Sequence, residues 1–369
     1  MTGSRISVAA PDLGGRELEY VTECMTTGWI SSNGRFIAEF EAAFAAFCDV
    51  KHAVAVSNGT VALHVALVAL GVGPGDEVLV PDLTYIASAN AVRYCGAEPI
   101  FIDNDRRTFN LDPEALEAKI TPKTKGIIPV HLYGHPVDMD AVLDIARRHG
   151  LFVLEDAAEA IGATYKGRRV GGLGNCATFS FFGNKIITTG EGGMVTTNDD
   201  DLARQLRLLK GQGMDPERRY WFPVVGYNYR MTNIAAAIGL AQLERIDFHL
   251  AERKRVAEGY QRRLSKFSER LTLPLTESWA GHVFWMYTIL INNPETGARD
   301  QVISAMDLAG IETRPVFYPM HVMPPYAEPK GLYPNANWCA ERGLNLPTHG
   351  GLSDQDLDQV VEALIKALR

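Results

Sequence analysis

The sequence predicts an α/β fold: a large domain over residues 1–240, with a mostly parallel sheet between helices, and a smaller C-terminal α/β domain over residues 241–369. Three observations predict it. Between Ala53 and Asp156, short apolar runs alternate with stretches of helical period, the pattern of a sheet covered on both faces. Polar clusters (Ser57-Asn58-Gly59-Thr60, Asp82 to Tyr85, Asp156) fall where those runs end, and functional groups of parallel sheets gather at strand carboxyl ends. After Asn233 the texture changes to a long helical stretch followed by a second mixed pattern.

Helical period opens the chain over Gly15–Thr26 and returns over Phe36–Phe47, where Phe36, Phe40, Phe44 and Phe47 recur three and four residues apart. Ala53–Val56 reads as a strand and Thr60–Leu70 as a helix stopped by Gly71. Glu77–Val80 is a strand ended by Pro81, and Thr84–Tyr94 a helix. Glu98–Asp103, Gly126–Val130 and Phe152–Glu155 are further strands, with helices over Pro113–Lys119 and Met139–His149 between them. Met194–Thr197 is a strand reached through Gly190-Glu191-Gly192-Gly193, glycines that suit a tight turn. Ile234–Leu264 reads as one long helical stretch, Phe284–Ile291 as a strand, Gln301–Leu308 as a helix and Asp354–Leu368 as a closing amphipathic helix. Without repeats, low-complexity tracts or Ser/Gly linkers, the two domains are expected to pack as one body.

Composition narrows the function classes. Of 369 residues, 46% are hydrophobic and 22% charged, enough apolar side chain for a core and unlike a disordered chain. Lys plus Arg number 36 against 44 Asp plus Glu, a net charge of −8, which gives no support to nucleic-acid or anionic-membrane binding. The densest basic run, Arg253-Lys254-Arg255 with Arg262-Arg263 and Lys266, is interrupted by acids and reads as a solvated helix face. Five scattered cysteines (Cys24, Cys48, Cys95, Cys176, Cys339) offer no zinc-ligand spacing and read as free thiols of a reducing cytoplasm. Met1–Asp12 lacks the apolar stretch of a signal peptide, and no run approaches the ~20 residues of a membrane span. The expectation is a cytoplasmic protein with no metal, no nucleic acid and no membrane.

Three segments carry chemistry. Thr178-Phe179-Ser180-Phe181-Phe182-Gly183-Asn184-Lys185 sets a lysine among aromatic and apolar neighbours. Such a setting lowers an amine's proton affinity and suits it to Schiff-base formation; a lysine that merely snorkels out of a hairpin is the plain alternative. Val153-Leu154-Glu155-Asp156-Ala157-Ala158-Glu159 ends a buried strand in a carboxylate. That is costly without a cationic partner, such as a protonated pyridine nitrogen, although a helix N-cap would place an Asp there too. Ser57-Asn58-Gly59-Thr60 joins a strand to a helix, where exposed N–H groups and the helix dipole can hold a phosphate. It matches neither the P-loop nor the dinucleotide fingerprint. A phosphate cradle, an aromatic residue at Tyr85, a strand-end Asp and a lysine in an apolar loop are together the parts of a pyridoxal phosphate site.

With those parts in place, the chain resembles the DegT/StrS family of sugar aminotransferases. The likeness runs from Trp29-Ile30-Ser31-Ser32 through Asn58-Gly59-Thr60, Glu155-Asp156-Ala157-Ala158 and Phe179 to Met194, and on to Asn345-Leu346-Pro347. Gly211-Gln212-Gly213-Met214-Asp215, Tyr220-Trp221-Phe222-Pro223 and Asn228-Tyr229-Arg230-Met231-Thr232-Asn233 extend it. The resemblance implies the fold-type I aminotransferase architecture and pyridoxal 5′-phosphate as cofactor. It implies that Lys185 carries the cofactor as a Schiff base, that Asp156 pairs with the pyridine nitrogen and that Tyr85 stacks on the ring. Gly59, Thr60 and Ser180 would hold the phosphate, joined by Asn228 from a second subunit, so that a homodimer shares its sites. Glu159 stands where many relatives have Gln or His near the ring hydroxyl, a departure that bears on local protonation.

The activity so implied moves the amino group of L-glutamate to C4 of a nucleotide-linked 4-keto-6-deoxy sugar, with a GDP-linked 4-keto-6-deoxy-D-mannose as the expected acceptor. The alternatives are C3 or C4 transfer on a UDP- or dTDP-linked sugar and, from another class, a regulator that binds the cofactor without turnover. Arg219 and Arg230 have guanidinium groups suited to a diphosphate or a donor carboxylate, though both also read as surface charges. Tyr318 and His321 lie in Arg314-Pro315-Val316-Phe317-Tyr318-Pro319-Met320-His321, which resembles a family segment bordering the substrate pocket. His64, inside an apolar helix, reads as a core residue, and His131, His135, His282 and His349 show no metal spacing.

Overall fold

Strands with no polar alternation need apolar cover on both faces, and the chain supplies it with helices. The computed structural model describes residues 5–293, 295–329 and 331–369, so Met1–Ser4 of the segment read for a signal peptide lie outside the described residues. Helices α1 (Glu17–Thr27) and α2 (Arg35–Cys48) precede β1 (His52–Val56), α3 (Gly59–Ala69), β2 (Glu77–Pro81), α4 (Ala87–Tyr94) and β3 (Glu98–Ile102). Next come β4 (Thr124–Ile127), α5 (Met139–His149) and β5 (Phe152–Asp156). The short strands β6 (Thr164–Tyr165) and β7 (Arg168–Arg169) lead to the hairpin of β8 (Cys176–Ser180) and β9 (Gly193–Thr197). Helices α6 (Asp200–Lys210), α7 (Asn233–Glu244) and α8 (Ile246–Leu264) follow. The last part holds β10 (Leu271–Thr272), β11 (Ala280–Gly281), β12 (Tyr287–Ile291) and α9 (Ala298–Leu308). It closes with β13 (Arg314–Pro315), α10 (Pro334–Arg342), β14 (Gly343–Leu346) and α11 (Asp354–Ala367).

Seven strands form the central sheet in the order β1-β9-β8-β5-β4-β2-β3. Only β9 runs against the others, pairing antiparallel with both β1 and β8. The carboxyl ends of β1, β2, β5 and β8 therefore open on one edge, which brings Asn58, Tyr85, Asp156 and Lys185 to the same side. A four-stranded sheet, β10-β12-β14-β13, and the three-stranded β11-β6-β7 complete the set.

Packing ties the second helix to the lysine loop. Phe44 of α2 lies with its ring 4.9 Å from Phe179 and 5.4 Å from Phe181, and Phe40 lies 5.1 Å from Phe181. All four are fully buried. The phenylalanine period seen in the sequence thus fixes the floor beneath the β8–β9 connection. A line after residue 240 falls inside α7, which packs against α1 and α2. The second core gathers Val256, Tyr260, Leu271 and Ile289 with Leu357 and Val360, and takes in Ile6 from the start of the described chain.

Four elements differ from the sequence reading. Pro113–Lys119 forms two short 3-10 turns, Pro113–Ala115 and Glu117–Lys119, with Leu116 as its single fully buried apolar anchor. Ile234–Leu264 breaks at Arg245 (φ −111°, ψ 16°), whose guanidinium is drawn 2.7 Å from Asp12. The helix expected from Thr84 starts only at Ala87, leaving Thr84 and Tyr85 in the strand-end loop. The strand expected from Phe284 starts at Tyr287, since Phe284 adopts a left-handed backbone (φ 48°). Helix α6, capped by Asp199 accepting from Asp201 and Leu202 N–H groups, was not read from the sequence. No described helix is long and apolar enough to cross a membrane.

Candidate active site

The strand ends enclose a cavity of about 670 Å³. Lys185 reaches it from the β8–β9 connection, with 12% of its side chain exposed. Its Nζ lies 3.8 Å from Glu159 Oε1 and 3.8 Å from the centre of the Trp285 ring. Burial lowers its proton affinity, and the carboxylates of Glu159 and Asp156 restore only part of it. The loop is held from outside, because Trp285 Nε1 donates to the Asn184 carbonyl at 2.8 Å. Burial thus favours the nucleophilic form of the amine, and the Trp285 bond anchors the loop that carries it.

Asp156 ends β5 and is buried. Its Oδ2 accepts from Ser88 Oγ at 2.7 Å and its Oδ1 from the Ala158 N–H at 3.2 Å. Burial raises its pKa against the pull of those two donors, so the carboxylate gains from a cation placed beside it. Its neighbour Glu155 is spent on structure. Burial would raise the Glu155 pKa, but His131 and the N–H groups of Gly174 and Gly171 outweigh it and hold it below the ordinary value. Val137 N–H donates to His131 Nδ1, so the proton on Nε2 points to Glu155 at 3.1 Å. Glu159 is buried with Oε2 accepting from the Tyr133 N–H at 2.8 Å, and burial raises its pKa while Lys185 opposes.

Asn58 caps α3, accepting from the Val61 N–H at 3.0 Å. That leaves the first-turn N–H groups of Gly59 and Thr60, which no residue of their helix can satisfy, facing the cavity they line. A Cβ at Gly59 would stand 2.8 Å from Ser180 Cβ, and one at Gly193 would stand 2.4 Å from the Asn58 carbonyl oxygen. Both glycines thus permit the close approach that makes a cradle. Thr84 Oγ1 and Asn184 Oδ1, both on cavity-lining residues, are buried without a partner among the described residues. Unpaired donors in an anion cradle, free acceptor sites on a buried Asp and a low-affinity amine fit pyridoxal phosphate in charge and donor set. Gly59→Ala is expected to weaken cofactor binding about tenfold, since overpacking costs ~1–3 kcal/mol. Titration of the apoprotein with pyridoxal phosphate, followed by absorbance, checks this; unchanged affinity would remove the cradle from the site.

The remaining sequence candidates are distributed otherwise. Tyr85 lines the cavity with 57% exposure, its ring 5.8 Å from Phe317. Asn228 is exposed and outside this subunit's cavity, its Oδ1 accepting from Arg230 Nη2 at 3.1 Å. Arg230 and Arg219 are likewise exposed, with Arg219 lying over Tyr220 at 4.9 Å, and Tyr318 is exposed without lining the cavity. His321 is buried and is not among the residues that line the cavity, with Nδ1 2.6 Å from Asp82 and Nε2 3.2 Å from Asn337, so its ring ties two segments together. His64 is buried as expected, with Nδ1 3.0 Å from the Tyr229 hydroxyl. No cluster of metal-ligating residues occurs among the described residues. Trp285, Asn345 and Arg314 line the cavity without having been singled out from the sequence. Arg314 lay within a quoted segment, and an arginine beside a segment that borders the pocket was the signal for it.

A sheet whose strand ends meet a buried lysine, a buried aspartate and a helix N-terminus defines a pyridoxal phosphate enzyme of the aminotransferase type. Residues 11–365 match the DegT/DnrJ/EryC1/StrS aminotransferase family, and the chain belongs to that family. It is 64% identical over 365 residues to GDP-perosamine synthase of Caulobacter vibrioides, covering 99% of this chain and 98% of that one. It is 48% identical to GDP-perosamine synthase of Escherichia coli O157:H7, covering 97% of each. Among solved structures, DesV of S. venezuelae in complex with a ketimine intermediate superposes with TM-score 0.90 at 37% identity, covering 96% of this chain and 94% of DesV. The aminotransferase TlmJ of Streptoalloteichus hindustanus gives 0.93 at 32% identity, covering 98% of each chain.

Proposed function

We propose that this protein, with pyridoxal 5′-phosphate as cofactor, transfers the amino group of L-glutamate to C4 of GDP-4-keto-6-deoxy-D-mannose, making GDP-perosamine. The observation that carries the reading is one cavity shared by Lys185, Asp156 and the open N-terminus of α3, on a chain alike from end to end to two GDP-perosamine synthases. When bound, pyridoxal phosphate supplies a carbonyl that exchanges amines and a ring that draws off electrons. The chain's own residues do the rest. The N–H groups of Gly59 and Thr60 and the Ser180 hydroxyl bind the phosphate, Tyr85 covers a ring face, and Asp156 holds a proton at the pyridine nitrogen. Lys185 Nζ takes the proton from Cα of glutamate in the first half-reaction and delivers one to C4 of the sugar in the second. Burial lowers the proton affinity of Lys185 and raises that of Glu159, and the attraction between the two groups opposes both shifts. A regulator that binds the cofactor without turnover would keep its Schiff-base absorbance when glutamate is added, whereas the aminotransferase loses it.

A panel of GDP-, UDP- and dTDP-linked 4-keto-6-deoxy sugars, each with glutamate and scored for amino sugar by mass, tests the reading. Product from the GDP sugar is expected. Product from the UDP or dTDP sugars alone would move this chain to another member activity of the family.

The site is also proposed to be shared between two chains. Asn228 stands outside its own cavity beside a surface where Tyr220, Trp221, Phe222 and Val225 are exposed, an apolar cluster of the sort that a second subunit covers. Each Lys185→Ala and Asn228→Asp homodimer is expected to be impaired, whereas a mixed dimer carries both defects in one site and neither in the other. Activity should return on mixing; verified hybrids that stay inactive would place Asn228 in the same site as its own Lys185.

A further inference from the structure

Among the described residues, the charged side chains lining the cavity are three acids, Asp156, Glu159 and Glu191, and two bases, Lys185 and Arg314. Both substrates of the proposed reaction are anions, glutamate through its carboxylates and the sugar through its diphosphate. An acidic excess repels them unless a cation meets them. Lys185 is withdrawn from that task, since it is buried against Glu159 and Trp285 and occupied by the chemistry.

Arg314 is placed differently. Its backbone is fixed in β13, opposite Asn345 of β14. Asn345 is itself anchored, with Oδ1 accepting from Thr288 Oγ1 at 2.6 Å and Nδ2 donating to the Pro315 carbonyl at 3.2 Å. The side chain remains 45% exposed. Of the five N–H donors of a guanidinium, Nη2 alone supplies a bond among the described residues, to Glu312 Oε1 at 3.2 Å. Glu312 is tethered in turn, because its Oε2 accepts from the Val8 N–H at 3.1 Å. The contact is single and leaves a fork of donors unused, the geometry that suits a carboxylate or a phosphate. With Arg219 and Arg230 outside this subunit's cavity, Arg314 is the guanidinium the chain gives its own site.

We propose that Arg314 is the anion receptor of the cavity and binds a carboxylate of the amino donor or the diphosphate of the nucleotide sugar. The proposal rests on the aminotransferase reading above. Nothing in it requires Arg314 to move a proton. It is a binding residue whose loss weakens capture of substrate while Lys185 and the cofactor stay in place.

The test titrates the pyridoxal phosphate-loaded protein with 2-oxoglutarate and, separately, with GDP, each followed by calorimetry. In Arg314→Met at least one probe is expected to bind roughly 10- to 100-fold more weakly, the worth of a hydrogen bond to a charged group. Arg314→Lys should recover part of that loss. Glu312→Gln, which frees the guanidinium from a competing charge, should tighten the same probe a few-fold. Weakening of 2-oxoglutarate alone assigns the receptor to the donor carboxylate, weakening of GDP alone to the diphosphate, and weakening of both to the two half-reactions in turn. Unchanged affinity for both probes in Arg314→Met, with parental melting and Schiff-base absorbance, overturns the proposal. Should that variant not fold, unchanged affinities in Arg314→Lys and Glu312→Gln overturn it instead. A parental protein that gains no Schiff-base absorbance with pyridoxal phosphate would sink the aminotransferase reading, a result separate from either outcome for Arg314.

Discussion

Lys185→Ala is expected to lower turnover by at least about 10³-fold, since the same amine anchors the cofactor and carries the proton. The fold should survive. Removing the lysine leaves Glu159 buried without its cation, but burial already raises that carboxyl's pKa, so it becomes neutral rather than standing as an unpaired charge. Two measurements check this together. Amino-sugar formation, followed by mass, reports the loss of activity. Borohydride reduction of the loaded protein followed by peptide mapping should mark the peptide carrying residue 185 in the parent and leave it unmarked in the variant. Turnover near the parental rate, or a mark on a different lysine, would refute the assignment.

Asp156→Asn is expected to slow both half-reactions, by roughly 10²-fold or more, the usual cost of removing a group aimed at developing charge. An amide keeps the shape and can still engage Ser88 and Ala158, yet cannot hold a proton at a pyridine nitrogen. Melting should change little or rise, because the carboxylate is held there against the cost of burial. Single-turnover absorbance with glutamate, and separately with the keto sugar on the aminated protein, resolves the two halves. A defect in the sugar half alone would show that Asp156 contacts substrate rather than the ring nitrogen.

How much of this was legible in the sequence depended on the range of the determining contacts. The central strands were, because runs such as Val78-Leu79-Val80 and Val153-Leu154 are apolar without interruption and need cover on both faces. The Lys185 loop and the Asn58–Thr60 turn were legible as local segments, because each is built from neighbours in sequence. The break at Arg245 was not, since Asp12, more than two hundred residues earlier, draws that side chain aside. The setting of His321 was not legible for the same reason. Its burial is set by Asp82, 239 residues away, and no local pattern distinguishes a locked histidine from one facing substrate. Trp285 and Arg314 line the cavity beside residues far from them in sequence, a meeting that no local pattern records. The sharing of sites proposed for Asn228 is a matter between chains, on which sequence period is silent.

Glu155 and Asp156 are consecutive, both buried and both acidic, and their hydrogen bonding differs. The four acceptor positions of a carboxylate are all taken at Glu155, by His131, Gly171, Leu173 and Gly174. At Asp156 two are taken and two are open. A lineage that drifted away from catalysis would be free to exchange the second acid and bound to retain the first, because the first holds the chain together whether or not a cofactor ever arrives. The reverse order of loss, an intact Asp156 beside an altered Glu155, would describe a protein that retains its reactive group and loses the frame that aims it.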